Sequence, residues 1–170
     1  MPRCSCRLAL ALLAAACMLG AEEKAPPPAE AGHKLPAEVL EVLEKADAIE
    51  LFSLTPESKP AANETALFSW KVRGQRVVRD AGARKTLLDE LKKGVAAYDN
   101  TDVFCFKPHH AIKAVAGEQS VTLVICFECK KIRIHRGGPH QFTDLGITGQ
   151  PAQALLEALD VPNAPASAKP

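Results

Sequence analysis

Three cysteines and two histidines lie close together in this sequence, and their side chains are the ones best suited to chemistry. They occur in two motifs, C-F-K-P-H-H beginning at Cys105 and C-F-E-C running from Cys126 to Cys129. The histidines are His109 and His110. Thiolates and neutral imidazoles bind zinc, thiolates act as nucleophiles, and paired thiols form disulfides. The chemistry open to this group therefore depends on which of the five side chains meet in space.

A predicted β-hairpin explains how the two motifs meet. Its strands are the β-like segments Ile112–Ala116 and Val121–Phe127, and the G-E-Q-S segment between them is typical of a turn. A turn centred on Glu118 and Gln119 pairs residues whose numbers sum to about 237. The expected pairs near the motifs are Ala111 with Cys126, His110 with Phe127, and Pro108 with Cys129. Because opposite Cβ atoms are about 5 Å apart, both motifs are expected at one end of the hairpin.

A metal site is the first interpretation of this group. Cys105, Cys126 and Cys129 would bind zinc together with His109 or His110, because three thiolates and an imidazole suit tetrahedral Zn²⁺. C-x2-C is a common half-site spacing. Only one half-site has that spacing, since the other is C-x3-H or C-x4-H.

A structural disulfide, with the third cysteine buried, is the second interpretation. A fully extended segment from Cys126 to Cys129 spans roughly 10 Å, more than the Cα separation of about 4.4–6.8 Å that a disulfide allows. That pair therefore requires a local turn, whereas Cys105 pairs more easily with either of the other two.

Thiol chemistry is the third interpretation. Cys126 and Cys129 would cycle between dithiol and disulfide, or Cys105 would be a nucleophile activated by His109 or His110. The residues leave these three interpretations open.

The remaining pattern predicts an α+β fold, a single domain in which helices pack on one face of an antiparallel sheet. Apolar residues recur at helical spacing after Pro36, Asp80 and Pro151. Strands are expected at Ile49–Leu54, at Phe68–Val72, at Val77–Val78 after a turn at Gly74–Gln75, in the two arms of the hairpin, and at Ile132–Ile134. Val121–Phe127 is apolar on both faces and predicts a central strand.

Other candidate side chains have simpler predicted places. His135 and His140 flank a Gly-Gly-Pro turn and are expected in an exposed loop. Trp70 lies on an alternating strand and is expected to contribute to the core.

Length and composition limit the function classes. The chain has 170 residues, a net charge of +1, 47% hydrophobic residues and 5% aromatic residues. This length suits one domain, and the apolar fraction is too high for a disordered chain. The near-zero charge and the few aromatics argue against a nucleic-acid partner.

The N-terminal segment predicts export. Residues 1–20 combine Arg3 and Arg7 with an apolar run, Leu8–Ala16, and small residues before Ala21, which is the pattern of a signal peptide. Residues 21–34 predict an extended Pro/Ala-rich tether, residues 35–161 the domain, and residues 162–170 a disordered tail. The expected location is the periplasm or cell envelope.

Cys17 is a candidate lipidation site. It follows L-A-A-A, which resembles a bacterial lipobox with alanine where leucine is usual. Acylation there would anchor the protein to the membrane, because two or more chains anchor stably and one does not. The alternative is an ordinary secreted protein cut near Ala21.

The two motifs also resemble those of an uncharacterised family of exported bacterial proteins. Its pattern is C-F-x-P-R-H, a short hairpin and then I-C-F-E-C, and the likeness extends back through Lys71–Gly74 and Asp80. This chain has His109 where the family has arginine, which makes His110 the candidate functional histidine. The resemblance implies export but no activity.

The leading functional hypothesis is a binding or interaction role at the envelope, with a cysteine cluster that is a disulfide or binds zinc. The alternative is a thiol-dependent redox enzyme or one with a cysteine nucleophile. The sequence leaves open whether the protein is an enzyme, and it does not identify the protein or small-molecule partner.

Overall fold

A curled antiparallel sheet and three helices make up the part of the chain that the computed structural model describes, residues 33–57, 59–101 and 103–161. In chain order the elements are α1 (Ala37–Lys45), β1 (Ile49–Thr55), β2 (Ala66–Leu67), β3 (Trp70–Val78), α2 (Ala81–Ala96), β4 (His110–Ala116), β5 (Gln119–Cys126), β6 (Lys131–His135), β7 (Phe142–Gly146) and α3 (Gln153–Leu159). The seven strands lie in the order β2-β3-β1-β4-β5-β6-β7, and all neighbours are antiparallel.

The three helices pack on one face of the sheet, as predicted. Their buried side chains, including Leu43, Leu91 and Leu155, form one core with the strand residues Leu123 and Ile132. α2 begins where predicted, because the Ala83 N–H donates to Asp80 Oδ1 over 2.7 Å and caps the helix. The α+β prediction is confirmed.

The opposite face of the sheet carries a smaller apolar cluster. Phe52, Leu54, Ala111 and Val124 are buried there. Partly buried side chains of β2, β3 and the flanking loops cover them, namely Leu67, Phe68, Trp70, Val72 and Phe106. We call this side of the sheet the open face, because the helices lie on the other side. Trp70 is therefore half-buried in a second cluster and lies outside the main core.

The β4–β5 hairpin forms with a register different from the predicted one. Its turn is Gly117–Glu118, Ala116 pairs with Gln119, and His110 pairs with Ile125 instead of Phe127. Gly117 has φ +60°, which suits the first central residue of a tight two-residue hairpin turn. The error is a shift of two positions along one strand, and a shift of two leaves each side chain on its predicted face.

Two strand predictions need correction. The turn expected at Gly74–Gln75 is wrong, because β3 runs on through these residues and Gly74 pairs with Ser53. β3 has a bulge at Arg73. Ser53 pairs with Gly74 and the next residue of β1, Leu54, pairs with Val72, so Arg73 has no partner in β1. β7 was not predicted, because it is an edge strand whose first three residues are exposed and lack an apolar pattern.

The export features lie outside the described residues. This applies to the signal peptide, to Cys17, to residues 21–32 of the tether and to the tail at 162–170. Within residues 33–57, 59–101 and 103–161, the helices are too short and too polar for a bilayer crossing.

Candidate functional site

Cys105, Cys126 and Cys129 form a compact group of sulfurs, which confirms the predicted convergence of the two cysteine motifs. Their Sγ atoms all lie within 4.8 Å of one another. The Cα of Cys129 is 5.5 Å from that of Cys105 and 5.2 Å from that of Cys126. Both separations fall within the range that disulfides span. We call these three residues the cysteine cluster.

A tight turn after β5 brings Cys129 back towards Cys126. The Lys130 N–H donates to the Phe127 carbonyl over 3.0 Å, and Lys130 has φ +50°. This is the local turn that a pairing of Cys126 with Cys129 requires. The Cys129 N–H also donates to Cys126 Sγ over 3.1 Å, so the turn is closed partly by the cluster itself.

Cys105 lies in the segment between α2 and β4. Just ahead of β4, the His109 N–H donates to the Ile125 carbonyl over 3.3 Å, and the His109 carbonyl accepts from the Leu54 N–H over 2.9 Å. The Lys107 N–H donates to Cys129 Sγ over 3.3 Å. Backbone hydrogen bonds therefore hold this segment against the sheet beside the turn that carries Cys129.

Cys129 is the central member of the cluster. Its Sγ lies within bonding reach of both Cys105 Sγ and Cys126 Sγ. A sulfur forms one disulfide at a time, so the geometry offers two alternative pairs that share Cys129. Whichever pair forms, one sulfur is left over beside it.

Solvent reaches the cluster mainly at Cys105. Cys126 is completely buried and Cys129 is 1% exposed, whereas Cys105 is half-buried. Alternation along β5 places Cys126 on the open face, together with Val124. The cluster thus has two sheltered sulfurs and one that solutes can approach.

Backbone donors favour the charged form of the two sheltered sulfurs. An N–H that points at a thiol sulfur stabilises its thiolate, whereas burial disfavours the charge, and both Cys126 and Cys129 accept such a bond while buried. Of the nearby lysines, Lys107 and Lys130 have carboxylate partners, with Lys107 Nζ 3.6 Å from Glu57 and Lys130 Nζ 2.6 Å from Asp99. Lys131 pairs with Cys126 across β5 and β6, so its side chain is on the same face as this sulfur.

The structure does not bring either predicted histidine into the group of sulfurs. His109 is exposed. His110 lies on the helix side of β4, with its ring 5.8 Å from that of Phe127. Burial lowers the pKa of His110, and neighbouring His109 lowers it further. Because Cys126 is on the open face, the sheet separates His110 from the Cys126 sulfur, with which it was expected to bind zinc.

His135 corrects the prediction of an exposed loop residue. It ends β6 and is only 3% exposed, because Phe68 from the β2–β3 turn stacks on its ring at 4.1 Å between centroids. Among the described residues, neither ring nitrogen makes a hydrogen bond of good geometry. Burial lowers the pKa of this imidazole, although the backbone of Gly138 and Pro139 lies close enough to raise it in part. His140 is exposed, as predicted.

Arg133 lies between two phenyl rings and packs on Phe106, the residue after Cys105. This contact was not predicted from the sequence. The Arg133 guanidinium carbon lies 4.2 Å from the ring centroid of Phe106 and 4.1 Å from that of Phe142. Asp144 accepts from Arg133 Nε over 3.0 Å. The alternating strand pattern did place Arg133 on a polar face, but the two rings come from distant segments.

The donor set of the cluster could also hold a metal ion. Zinc binds thiolates at about 2.3 Å, so sulfurs sharing one ion lie within about 4.6 Å of each other. All three sulfurs lie within 4.8 Å of one another, which is near this limit, and the two pairs that share Cys129 would have to separate from bonding distance to hold an ion. The three cysteines would supply three ligands and leave a fourth position for a non-protein ligand such as water.

No family model, curated protein or solved structure matches the chain.

Proposed function

We propose that the protein is an exported envelope protein with a binding or interaction role, whose cysteine cluster carries one disulfide formed by Cys129. The observation that carries this proposal is the position of Cys129 Sγ within bonding reach of two other sulfurs. Export supplies the matching environment, because disulfides persist in oxidising compartments and are rare in the cytosol.

The disulfide would fasten the α2–β4 segment to the body of the sheet. Cys105 and Cys129 are 24 residues apart in sequence, and closing a loop of that size stabilises a fold by about 3 kcal/mol. Cys126 and Cys129 are 3 residues apart, and so short a loop contributes only about 2 kcal/mol. The longer link is therefore the better structural crosslink.

A count of thiols and metal tests the disulfide. The mature chain is produced with its own leader, denatured without reductant, and assayed for free thiols and for bound zinc. We expect one free thiol for each chain and no stoichiometric zinc, because removal of the leader leaves the cluster as the source of thiols. Three free thiols would contradict the proposal.

A three-thiolate metal centre is the second candidate, and the two N–H donors to sulfur favour it. Hydrogen bonds of this kind orient and stabilise ligating thiolates. The two candidates exclude each other in one molecule, because three thiolate ligands leave no sulfur for a disulfide. Stoichiometric zinc together with three thiols would establish the metal centre.

Membrane anchoring at Cys17 completes the proposal. It is supported by the lipobox-like residues before Cys17 and by the Pro-rich tether after it. In a bacterial host fed a labelled fatty acid, the wild-type protein should carry label and sediment with membranes. Cys17→Ser should lose both properties and Cys6→Ser neither. Unchanged labelling of Cys17→Ser would contradict the anchor.

A further inference from the structure

We propose that the disulfide of the cysteine cluster migrates between the pairs Cys105–Cys129 and Cys126–Cys129, which makes the cluster a thiol–disulfide relay with Cys105 at its exposed end. This inference rests on the disulfide of the proposed function and adds that it is exchangeable. Its substrates are disulfides of flexible, solvent-exposed thiols, and oxidised glutathione represents them in the test.

The migration step needs no outside reagent. The Cys126 thiolate attacks Cys129 Sγ, and a Cys126–Cys129 bond forms while the Cys105–Cys129 bond breaks. The electron pair of the broken bond leaves on Cys105 as a thiolate, so nothing is oxidised or reduced overall. The step requires an attacking sulfur adjacent to the disulfide, and Cys129 Sγ lies within reach of both neighbours.

Hydrogen bonds prepare the attacking sulfurs. The thiolate is the nucleophile in disulfide exchange, and a backbone donor raises its population. Cys126 Sγ accepts from the Cys129 N–H, and Cys129 Sγ accepts from the Lys107 N–H. Each of the two buried sulfurs thus has a donor that stabilises it when it must attack.

The difference in burial among the three cysteines determines which of them a substrate can reach. Cys126 and Cys129 are sheltered from solvent, while Cys105 is half-buried and follows Phe104, whose side chain is fully exposed. When the disulfide lies between the two sheltered cysteines, the free thiolate is the one that solutes can approach. Phe104 offers an apolar contact to a substrate arriving there.

Oxidation of the reduced cluster by a disulfide RSSR balances in two steps. The Cys105 thiolate attacks one sulfur of RSSR, which forms a mixed disulfide and releases the first RS⁻. The Cys129 thiolate then attacks the Cys105 sulfur and releases the second RS⁻. The substrate gains two electrons, and Cys105 and Cys129 lose them. The two RS⁻ groups take up from solvent the protons that the two cysteine thiols released when they ionised. Migration to Cys126–Cys129 then restores a free thiol at Cys105.

Alkylation of the oxidised full-length mature chain under native conditions tests the migration. With iodoacetamide, the wild-type protein should become alkylated at Cys105 and retain a Cys126–Cys129 disulfide, because alkylation traps the exposed thiolate. In Cys126→Ser and Cys126→Ala the disulfide has no second partner, so alkylation of Cys105 should be lost. Blocking of free thiols at low pH before the treatment gives the starting pair, because protonated thiols exchange slowly, and Cys105–Cys129 should be found in that sample. Wild-type protein that shows the same single pair before and after prolonged treatment, whether Cys105–Cys129 or Cys126–Cys129, would overturn the relay.

Oxidised glutathione tests which cysteine receives the substrate. In reduced Cys129→Ser, the mixed disulfide cannot be resolved by Cys129, and one glutathionyl group should be found on Cys105. A glutathionyl group on Cys126 instead would overturn the assignment of Cys105. A disulfide that is present but fixed contradicts the relay alone, whereas three free thiols in the oxidised wild type contradict the proposed function as well.

Discussion

The imidazole of His135 stacks on the phenyl ring of Phe68 with 4.1 Å between their centroids, although β1, β4 and β5 lie between their strands in the sheet. The contact is possible because the sheet curls, so that the β2–β3 turn reaches across the open face to the end of β6. A histidine at the end of a strand is buried as a result, with 3% of its surface exposed.

This contact predicts loss of stability on acidification. Burial lowers the pKa of His135 in the folded state, so between that pKa and about 6.5 the unfolded chain binds more protons. Stability therefore falls as the pH drops through about 6.5, by at most about 1.4 kcal/mol per pH unit for one histidine. His110, whose pKa is also lowered, acts in the same direction.

Melting temperatures between pH 7.5 and pH 5 check this prediction. His135→Phe should flatten the pH dependence, because phenylalanine has no titrating nitrogen and can keep the stacking on Phe68. His140→Gln, at an exposed position, is the matched control and should leave the dependence unchanged. An equally steep profile in His135→Phe would contradict the assignment.

Phe106 is expected to stabilise the segment that carries Cys105. Its ring packs 5.7 Å from that of Trp70 and beneath the Arg133 guanidinium, so Phe106→Ala should lower the free energy of unfolding by about 2 kcal/mol. The nearby Phe104 is fully exposed, so Phe104→Ala should change the free energy of unfolding little. Urea denaturation of both variants measures the difference, and equal losses would disprove the packing role of Phe106.

The hairpin register can be probed at its turn. Gly117 has φ +60°, so an added Cβ is strained there and Gly117→Ala should cost about 1 kcal/mol. Gly138 lacks a positive φ, and a Cβ added there meets no described atom within 4 Å. Gly138→Ala is therefore the control and should be nearly neutral in the same denaturation experiment. A neutral Gly117→Ala would place the turn elsewhere.

The cysteine convergence could be predicted from the sequence even though the register was wrong. A shift of two positions preserves the face of every side chain, so both motifs still reach the same end of the hairpin. The same alternation already separated His110 from Cys126, because His110 was paired with Phe127, the neighbour of Cys126, and neighbours point to opposite faces. The prediction of His110 as a metal ligand rests on the suitability of an imidazole for tetrahedral zinc and does not account for this separation.

The remaining errors come from contacts between distant segments. The K-I-R-I-H pattern predicts a strand ending at His135, but nothing local indicates that Phe68 covers it. The exposed strand β7 lacks a periodic apolar pattern, so only its pairing with β6 reveals it. Arg133 likewise owes its position to rings from two other segments.

Stability that depends on reductant should identify the shared cysteine. Reduction should lower the free energy of unfolding of the wild type and of Cys126→Ser by about 3 kcal/mol, since both can form the longer loop. Reduction should lower the free energy of unfolding of Cys105→Ser by about 2 kcal/mol, because this variant can close only the short loop between Cys126 and Cys129. Cys129→Ser should show no reductant effect. A reductant effect in Cys129→Ser would indicate a Cys105–Cys126 pair instead.

Peptide mapping of the unreduced mature protein tests most directly whether Cys129 forms the disulfide. After blocking of free thiols at low pH and proteolysis, we predict that Cys129 is found in crosslinked peptides, with Cys105 or Cys126 as its partner, and that the remaining cysteine is blocked. Recovery of Cys129 as a blocked free thiol would contradict this assignment.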